Sequence, residues 1–180
     1  MGTRVLSIDG ATQRTGWCIL DKDTKEIIKY GCIIKTSDEE PNMLFRIIYM
    51  IDSIKEILEE NHIDEIVQED VPPAINNSST VLALGTLKGG ILGLAHSKDL
   101  FVNYITVPYW HSQLGIKKSN GDLKKQSIEW VNNKYGLNLI YKSPSSKLNQ
   151  DNEADSIAFG SVWIENYDKK EKKGFERKKK

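Results

Sequence analysis

The sequence predicts one α/β domain with a five-stranded mixed sheet, in which three antiparallel strands are followed by parallel ones, flanked by helices. Three strand patterns lie within the first 35 residues and are separated only by short polar turns, which is typical of an antiparallel meander. Beyond them, short apolar runs alternate with stretches of helical periodicity, which favours parallel strands covered by helices. A length of 180 residues suits a single domain.

Each predicted strand is an apolar or alternating run bounded by turn residues. In chain order the predicted strands are Arg4–Asp9, Gly16–Leu20, 27–35, Glu65–Glu69 and Phe101–Val107. Pro108 closes the last of them, because proline cannot donate a hydrogen bond to a sheet ladder. We expect the first and fourth strands to be parallel neighbours, so that their ends meet at one edge of the sheet.

Four helices are predicted from apolar residues at spacings of three and four. They run from Asn42 to about Leu58, from about Ser79 to His96, over Leu123–Tyr135 and over Asn152–Glu165. The second helix carries Gly85, Gly89 and Gly93 at every fourth position. An interior glycine costs about 1 kcal/mol relative to alanine. We therefore expect a close backbone approach on this face, for which tight packing on the protein's own sheet is one explanation.

Composition excludes several classes of protein. Hydrophobic residues make up 39% of the chain and charged residues 28%, as in a soluble globular domain. The two cysteines, Cys18 and Cys32, are too few for a zinc site or a disulfide framework. We see no secretory signal pattern and no run of 18 apolar residues, so we expect a cytoplasmic protein without a membrane partner.

The formal net charge of zero conceals a strong asymmetry along the chain. Residues 21–70 hold 14 acidic and 6 basic residues, whereas residues 169–180 hold 8 basic and 2 acidic ones. A terminal run of like charge is usually solvated and disordered, although a basic tail also suits a phosphate backbone. We expect a folded domain over residues 1–168 and a basic, disordered tail over 169–180.

Three acidic residues stand at the ends of predicted elements. Asp9 ends the first strand, Glu69 ends the fourth, and Asp155 lies one turn into the last helix. Singly, each would be an ordinary loop carboxylate or helix cap. Together they suit hard divalent cations, which prefer oxygen ligands. Two such ions about 4 Å apart can clamp the attacking and leaving oxygens of a phosphodiester.

Five segments in order resemble the RuvC-type Holliday junction resolvases of the ribonuclease H-like superfamily, and the phage members more than the bacterial ones. They are SIDGATQRTGW, IVQED, NNSSTVLALGTLKGGILGLA, PYWHSQLGI with GDLKKQSIEWV, and NEADSIAFG. Each match is weak alone, but together they cover roughly residues 4–165. The resemblance implies a RuvC-like nuclease domain over residues 1–168.

The resemblance also implies a ligand set for the metal ions. Asp9, Glu69 and Asp155 match the family's metal ligands. The family usually has a fourth ligand three residues before the last aspartate, where this chain has Asn152. Asp151 shares a helical face with Asp155 and is the first alternative. Asn152 itself ranks second and Glu153 third.

An active-site lysine and a cofactor follow from the same resemblance. Lys125 matches the lysine beside the scissile phosphate, with Lys124 as the alternative; a cation there would stabilise developing charge. The implied cofactor is Mg²⁺, two ions per active site, with Mn²⁺ as a substitute. The implied activity is magnesium-dependent resolution of four-way DNA junctions by paired hydrolysis, leaving 5′-phosphate ends. A homodimer through the helix at about Ser79–His96 would place two sites on opposed strands.

The predicted DNA contacts fall into two groups. One is the polar entry to the second helix, which suits phosphate but could equally be a plain helix cap. The other is a basic patch before and within the third predicted helix. These candidates are Asn76, Asn77, Ser78, Ser79, Lys117, Lys118 and Lys124. Pro72 and Pro73 replace the aromatic probe of bacterial members, so the resemblance gives no support for a branch-migration motor as partner.

Two alternative functions stay open. The first is a broader nuclease that cuts forks, flaps and three-way junctions as well. The second is a non-catalytic junction-binding protein, for which replacing Asp9 would change no activity. An actin-like kinase or ATPase also places Asp-Gly-x-Thr after a first strand, but 180 residues are too few for its two domains.

Overall fold

The computed structural model describes residues 2–70 and 78–171, with side chains through residue 166. The strands are β1 (Arg4–Asp9), β2 (Arg14–Asp21), β3 (Ile27–Ile34), β4 (Glu65–Glu69) and β5 (Phe101–Ile105). The helices are α1 (Met43–Glu60), α2 (Ser78–His96), α3 (Val107–Leu114), α4 (Leu123–Tyr135) and α5 (Asp151–Glu171), with a 3-10 turn at Lys118–Asn120. The predicted fold class is confirmed.

The five strands form one mixed sheet in the order β3-β2-β1-β4-β5. β1, β2 and β3 pair antiparallel, while β4 lies parallel to both β1 and β5. In the register between β1 and β4, Ile8 lies opposite Gln68. The next residues, Asp9 and Glu69, therefore end neighbouring strands at the same edge of the sheet, as predicted.

Helices cover both faces of the sheet and give the protein two apolar cores. Leu6 and Ile8 of β1 pack with α1 and α2 on one face. Val5, on the opposite face, packs with α3, α4 and α5. Side chains alternate along a strand, so Asp9 shares the face of Val5. By the same alternation Glu69 shares the face of Val67, which also packs in the core with α5.

The start of α5 lies unusually close to β2 at Gly16. A Cβ added at Gly16 would overlap the main-chain carbonyl of Asn152. Only glycine therefore lets the first turn of α5 approach β2 at this distance. The glycine of the Thr-Gly-Trp segment thus fixes the position of the helix turn that carries Asp151 and Asp155.

The structure differs from the sequence prediction most clearly after β5. The predicted strand Phe101–Val107 was wrong at its end, because β5 stops at Ile105 and Val107 begins α3. Thr106 is the extended N-cap residue, and Pro108 lies in the first turn. Proline suits that position because its missing N–H has no partner in a helix anyway. Gly115, with φ 71°, ends α3.

The boundaries of two other elements also differ. β2 runs over Arg14–Asp21, which is longer than the predicted Gly16–Leu20. α5 runs to Glu171, so residues 169–171 of the predicted tail are helical. Residues 172–180 of that tail, together with Asn76 and Asn77, lie outside the described residues.

Helix α2 has one covered and one open face. Its buried residues, Ala83, Leu87, Ile91 and Ala95, lie in the core shared with α1. A Cβ at Gly85, Gly89 or Gly93 would meet no heavy atom within 4 Å in the described part of the chain. Packing on the protein's own sheet therefore does not explain this stripe of glycines.

The open face of α2 is also apolar. Val81, Leu82 and Leu92 are 39%, 68% and 47% exposed. By length and composition alone, α2 would suffice to cross a lipid bilayer, a property that helices of soluble cores share. The sequence expectation of no spanning segment rested on the lack of an unbroken apolar run. In this fold α2 is a helix that is half packed on α1.

Candidate active site

Four acidic residues converge where β1, β4 and α5 meet. Burial, and then the negative charges of Glu69, Asp155 and Asp151, raise the pKa of Asp9 well above its usual value. Burial raises the pKa of Asp155 to about 7; a hydrogen bond from Ser127 opposes this rise, and the charges of Glu69 and Asp151 add to it. The predicted acids therefore interact electrostatically as one cluster, which we call the acid cluster.

Two buried or half-buried groups hold the end of β4. The indole Nε1 of Trp110, on α3, donates to Oε1 of Glu69 at 3.0 Å, and Trp110 is only 1% exposed. The ammonium of Lys88, on α2, donates to the main-chain oxygen of Glu69. Burial raises the pKa of Glu69, while the Trp110 hydrogen bond and the charge of Lys88 lower it.

The two aspartates of α5 are each held by a residue of α4. Oγ of Ser127, a side chain 1% exposed, donates to Oδ1 of Asp155 at 2.5 Å. Nζ of Lys124 lies 2.5 Å from Oδ2 of Asp151. The hydrogen bond to Asp151 raises the pKa of Lys124. Helix α4 thus orients the acids that α5 supplies.

Sequence reasoning did not identify Trp110, Ser127 or Lys88 as part of the site. All three lie within segments that carry the resemblance, but no role in the site was predicted for any of them. The contact of Trp110 with Glu69 spans 41 residues and that of Ser127 with Asp155 spans 28. Such contacts depend on tertiary packing, and the one local signal was the tryptophan between β5 and the basic patch.

The three candidates for a fourth ligand occupy different positions. Asp151 contributes its charge to both Asp9 and Asp155. Asn152 is half-buried at the close approach to Gly16. Glu153 is 6% exposed, accepts a hydrogen bond from Gln150 at 3.3 Å, and contributes its charge to Cys32. Of the three, Asp151 is the residue that the structure brings into the acid cluster.

The two candidates for the active-site lysine have different partners. Lys124 contacts Asp151, and the negative charge of Asp155 adds to the rise in the pKa of Lys124. Lys125 instead pairs with Glu129, one turn along α4, at 3.6 Å, and both of those side chains are more than half exposed. The structure thus brings Lys124 to the acids and leaves Lys125 at the surface.

The described DNA-contact candidates lie on the surface. Ser78 and Ser79 are exposed in the first turn of α2. Lys117 and Lys118 are exposed before α4. The main-chain N–H of Lys117 donates to Oε1 of Gln126 at 3.1 Å, which ties this basic segment to the end of α4 that carries Lys124.

The donor chemistry of the acid cluster fits a hard divalent cation. As the side chains stand, residues 2–70 and 78–166 contain no group of three or more His, Cys, Asp or Glu arranged to hold an ion. Trp110, Ser127 and Lys124 each engage one carboxylate oxygen instead. Burial is the main cause of the raised pKa values of Asp9 and Asp155, and repulsion from neighbouring acids adds to both. Positive charge would relieve that repulsion, and oxygen ligands are those that magnesium-type ions prefer.

Comparison with known proteins assigns the family. A family model for the crossover junction endodeoxyribonuclease RuvC matches residues 5–132, most of the chain. The chain belongs to the RuvC family. The match covers Asp9, Glu69 and Lys124 but ends before α5, so the position of Asp155 rests on the structure. As a RuvC-family member, the protein is a crossover junction endodeoxyribonuclease, and enzymes of this family depend on divalent metal ions.

Curated RuvC relatives support this assignment. RuvC of Nitrosomonas eutropha is 28% identical over 131 residues, which cover 70% of this chain and 68% of the relative. RuvC of Methylococcus capsulatus is 36% identical over 97 residues, 52% of this chain and 56% of the relative.

Two solved structures show the same fold. RuvC of T. thermophilus in complex with a Holliday junction substrate has a TM-score of 0.72 at 14% identity, covering 93% of this chain and 96% of that one. The fowlpox virus resolvase in complex with substrate Holliday junction DNA has a TM-score of 0.54 at 16% identity, covering 92% and 99%. The resemblance to RuvC-type resolvases is confirmed.

Proposed function

We propose that this RuvC-family enzyme resolves four-way DNA junctions by paired hydrolysis of two phosphodiester bonds, leaving 5′-phosphate ends. The proposal rests on the acid cluster. Its members Asp9, Glu69 and Asp155 belong to three separate elements, and the charge of Glu69 raises the pKa of both aspartates. Family membership supplies the substrate class. The setting we propose is the cytoplasm, that of an infected host if the protein is phage-encoded, as the resemblance to phage members suggests.

Mg²⁺ is the metal that we propose, with two ions per site and Mn²⁺ as a substitute. Asp9, Glu69 and Asp155 would hold the ions, with Asp151 as the fourth ligand. Bound divalent ions supply Lewis-acid charge for phosphodiester hydrolysis. This donor set consists of carboxylate oxygens alone, which favours Mg²⁺ or Mn²⁺ over the softer metals that prefer nitrogen and sulfur.

The side chains around the acid cluster have positioning and electrostatic roles. Trp110 and Ser127 fix the directions in which the carboxylates of Glu69 and Asp155 face. Lys124 lies within reach of the cluster, where its ammonium can stabilise negative charge on the phosphate. Because the fold already holds these groups close together, less entropy is lost when they are assembled around the substrate.

A homodimer formed through α2 would account for paired incision. The glycine stripe of α2 is open and is flanked by exposed apolar side chains, as a helix–helix interface requires. On α1, which packs against α2, Leu44, Phe45 and Ile48 are also exposed, at 56%, 58% and 51%. A two-fold axis through the open face of α2 would relate two active sites, one for each opposed strand.

The DNA contacts that we propose lie beside the acid cluster and at the start of α2. Lys117, Lys118 and Lys124 would meet phosphates near the cut, while Ser78 and Ser79, with Asn76 and Asn77, would meet them at the helix entry. Lys125, which the resemblance placed beside the scissile phosphate, is exposed on the same helix and pairs with Glu129. The basic residues at 169–180 would add affinity that weakens with salt.

The substrate class is tested with a panel of DNA substrates. We expect Mg²⁺-dependent cleavage of a four-way junction at paired positions, with three-way junctions, flaps and duplex cut at least about tenfold more slowly. End-labelled strands resolve the cut positions, and a ligase assay reports the 5′-phosphates. Equal rates on flaps and junctions would favour the broader nuclease, and binding without any metal-dependent cleavage would favour a junction-binding protein.

Lys124 and Lys125 form a matched pair on one helix. We expect Lys124→Gln to lower single-turnover cleavage at saturating junction by about 10²-fold, because charge next to the acids is lost. Lys125→Gln should change it by less than about threefold, because Lys125 pairs with Glu129 in an exposed i,i+4 contact. Quenched-flow assays of both variants measure the difference. The opposite order would restore Lys125 as the active-site lysine.

A further inference from the structure

A polar groove opens beside the acid cluster and has no role in the function described so far. It encloses about 440 Å³ between the loop after β1, the segment after β3 and the residues that precede α5. Asp151 and Lys124 line one end of it, so the groove and the acid cluster share a wall. Its volume is within the roughly 300–1,000 Å³ typical of ligand sites.

The chemistry of the groove suits a phosphate backbone. Arg14 and Lys147 line it together with hydroxyl side chains, among them Thr36 and Ser145. Guanidinium, ammonium and hydroxyl groups are the donors that most often contact the phosphates of nucleic acids. Two acids, Asp38 and Asp151, also line the groove, and Asp151 is paired with Lys124.

The groove is held in shape by contacts across its two walls. Nη1 of Arg14, at the start of β2, donates to the main-chain oxygen of Lys147 at 3.2 Å. The amide of Asn149, 1% exposed, holds the loop through hydrogen bonds with Ser143 and Lys142. The loop that carries Lys147 is therefore fixed to the sheet before any ligand arrives.

Charges of the groove and of the acid cluster act on the same thiol. Burial raises the pKa of the Cys32 thiol to about 12; the charges of Glu153, Asp9 and Asp151 add to this rise, and the charge of Arg14 opposes it. One thiol thus lies within range of both the acids and the groove's guanidinium. A strand that leaves the acid cluster past Asp151 would enter the groove directly.

From this geometry we infer that the groove binds the phosphodiester backbone of the DNA strand that is cut, one or a few nucleotides from the scissile phosphate, through Arg14 and Lys147. This inference rests on the proposed function and assigns a substrate-binding site to it. Arginine and lysine can also contact base edges, and the inference is specific to the backbone: the groove holds the strand in register without reading its sequence.

The test measures junction binding in EDTA, where metal-dependent cleavage is blocked. We expect Lys147→Gln and Arg14→Gln each to weaken binding about threefold to tenfold at roughly 0.1 M salt. Each should also reduce the slope of log affinity against log salt by about 0.9. The matched control is Lys55→Gln on α1, a lysine 54% exposed that pairs only across one helical turn with Glu59. It should leave both quantities unchanged.

Methylphosphonate substitution locates the contact. Neutralising single phosphates one to three nucleotides from the cut should weaken binding by the wild type at one position, and should weaken binding by Lys147→Gln no further there. Additive losses at every position, an unchanged salt slope in both variants, or an altered cleavage-sequence preference would overturn the inference. If the wild type itself cuts no junction with Mg²⁺, the proposed function fails, and the binding measurements still decide the role of the groove.

Discussion

Replacing Asp155 with asparagine is expected to abolish junction cleavage and, without metal, to stabilise the fold at alkaline pH. Asparagine keeps the shape of the side chain but removes the negative charge that a divalent ion needs. We expect single-turnover cleavage in Mg²⁺ to fall by roughly 10³-fold or more, a loss comparable to that of a major electrostatic group in an active site. Junction affinity in EDTA should be maintained or rise, because a charge that repels DNA is lost.

The pH dependence of stability follows from the pKa of Asp155. Burial raises this pKa to about 7 in the folded state, whereas an aspartate in an unfolded chain titrates near 3.9. Between these values the folded protein binds more protons than the unfolded chain, so the free energy of unfolding falls as pH rises. The destabilisation is absent below about pH 4 and complete above about pH 7.

Thermal unfolding of the metal-free proteins tests the predicted gain in stability at alkaline pH. The Tm of Asp155→Asn should exceed that of the wild type at pH 8, and the two should agree at pH 4. Mg²⁺ should raise the Tm of the wild type at pH 8 and leave that of the variant largely unchanged. The control is Asp52→Asn, which changes an exposed aspartate on α1. Metal-dependent cleavage by Asp155→Asn at the wild-type rate would refute the assignment of the site.

Placing a charge on the open face of α2 is expected to separate the proposed dimer into monomers. In Gly89→Glu the new side chain meets no heavy atom within 4 Å at Cβ among the described residues, so the monomer can fold unchanged. Glutamate is also the better helix former, by several tenths of a kcal/mol. In a dimer the same side chain would bury a charge at the closest approach of two helices, at a cost that we expect to weaken association by about 10²-fold or more.

Light scattering and cut-site analysis measure this prediction together. The wild type should be a dimer at micromolar concentration and make paired cuts, whereas Gly89→Glu should be monomeric and make single, uncoordinated nicks at a much reduced rate. Asn133→Glu is the matched control, because it adds the same charge at an exposed position of α4. A monomeric wild type, or a dimeric Gly89→Glu variant with paired incision, would exclude α2 as the interface.

Much of this fold could be predicted because its signals are local. The meander was predictable from short turns between apolar strands, and Asp9 and Glu69 from the rule that ends of parallel strands meet. Helix α3 was missed because Pro108 was interpreted as the end of a strand, when the same residue also suits the first turn of a helix. A local signal that supports two structures needs the tertiary fold to decide between them.

The residues that contact and orient the acid cluster could not be predicted from the sequence, for a different reason. Lys124 and Lys125 are adjacent, so their directions on a helix differ by about 100°, and the rotation of α4 on α5 decides which of them reaches the acids. Ser127 meets Asp155 through that same packing. The sequence could predict which acids lie at element ends that meet, whereas the residues that orient those acids follow from how two helices pack.

The close approach of α5 to β2 at Gly16 has a consequence for the order in which the enzyme becomes active during its synthesis. The chain makes Asp9 and Glu69 early, but Asp155 enters the cluster only after the last helix has docked against a strand made near the beginning. A chain that ends before α5 therefore carries two of the four acids of the cluster and lacks the turn that supplies Asp151 and Asp155. The acid cluster is therefore complete only after α5 has been made and has docked at Gly16.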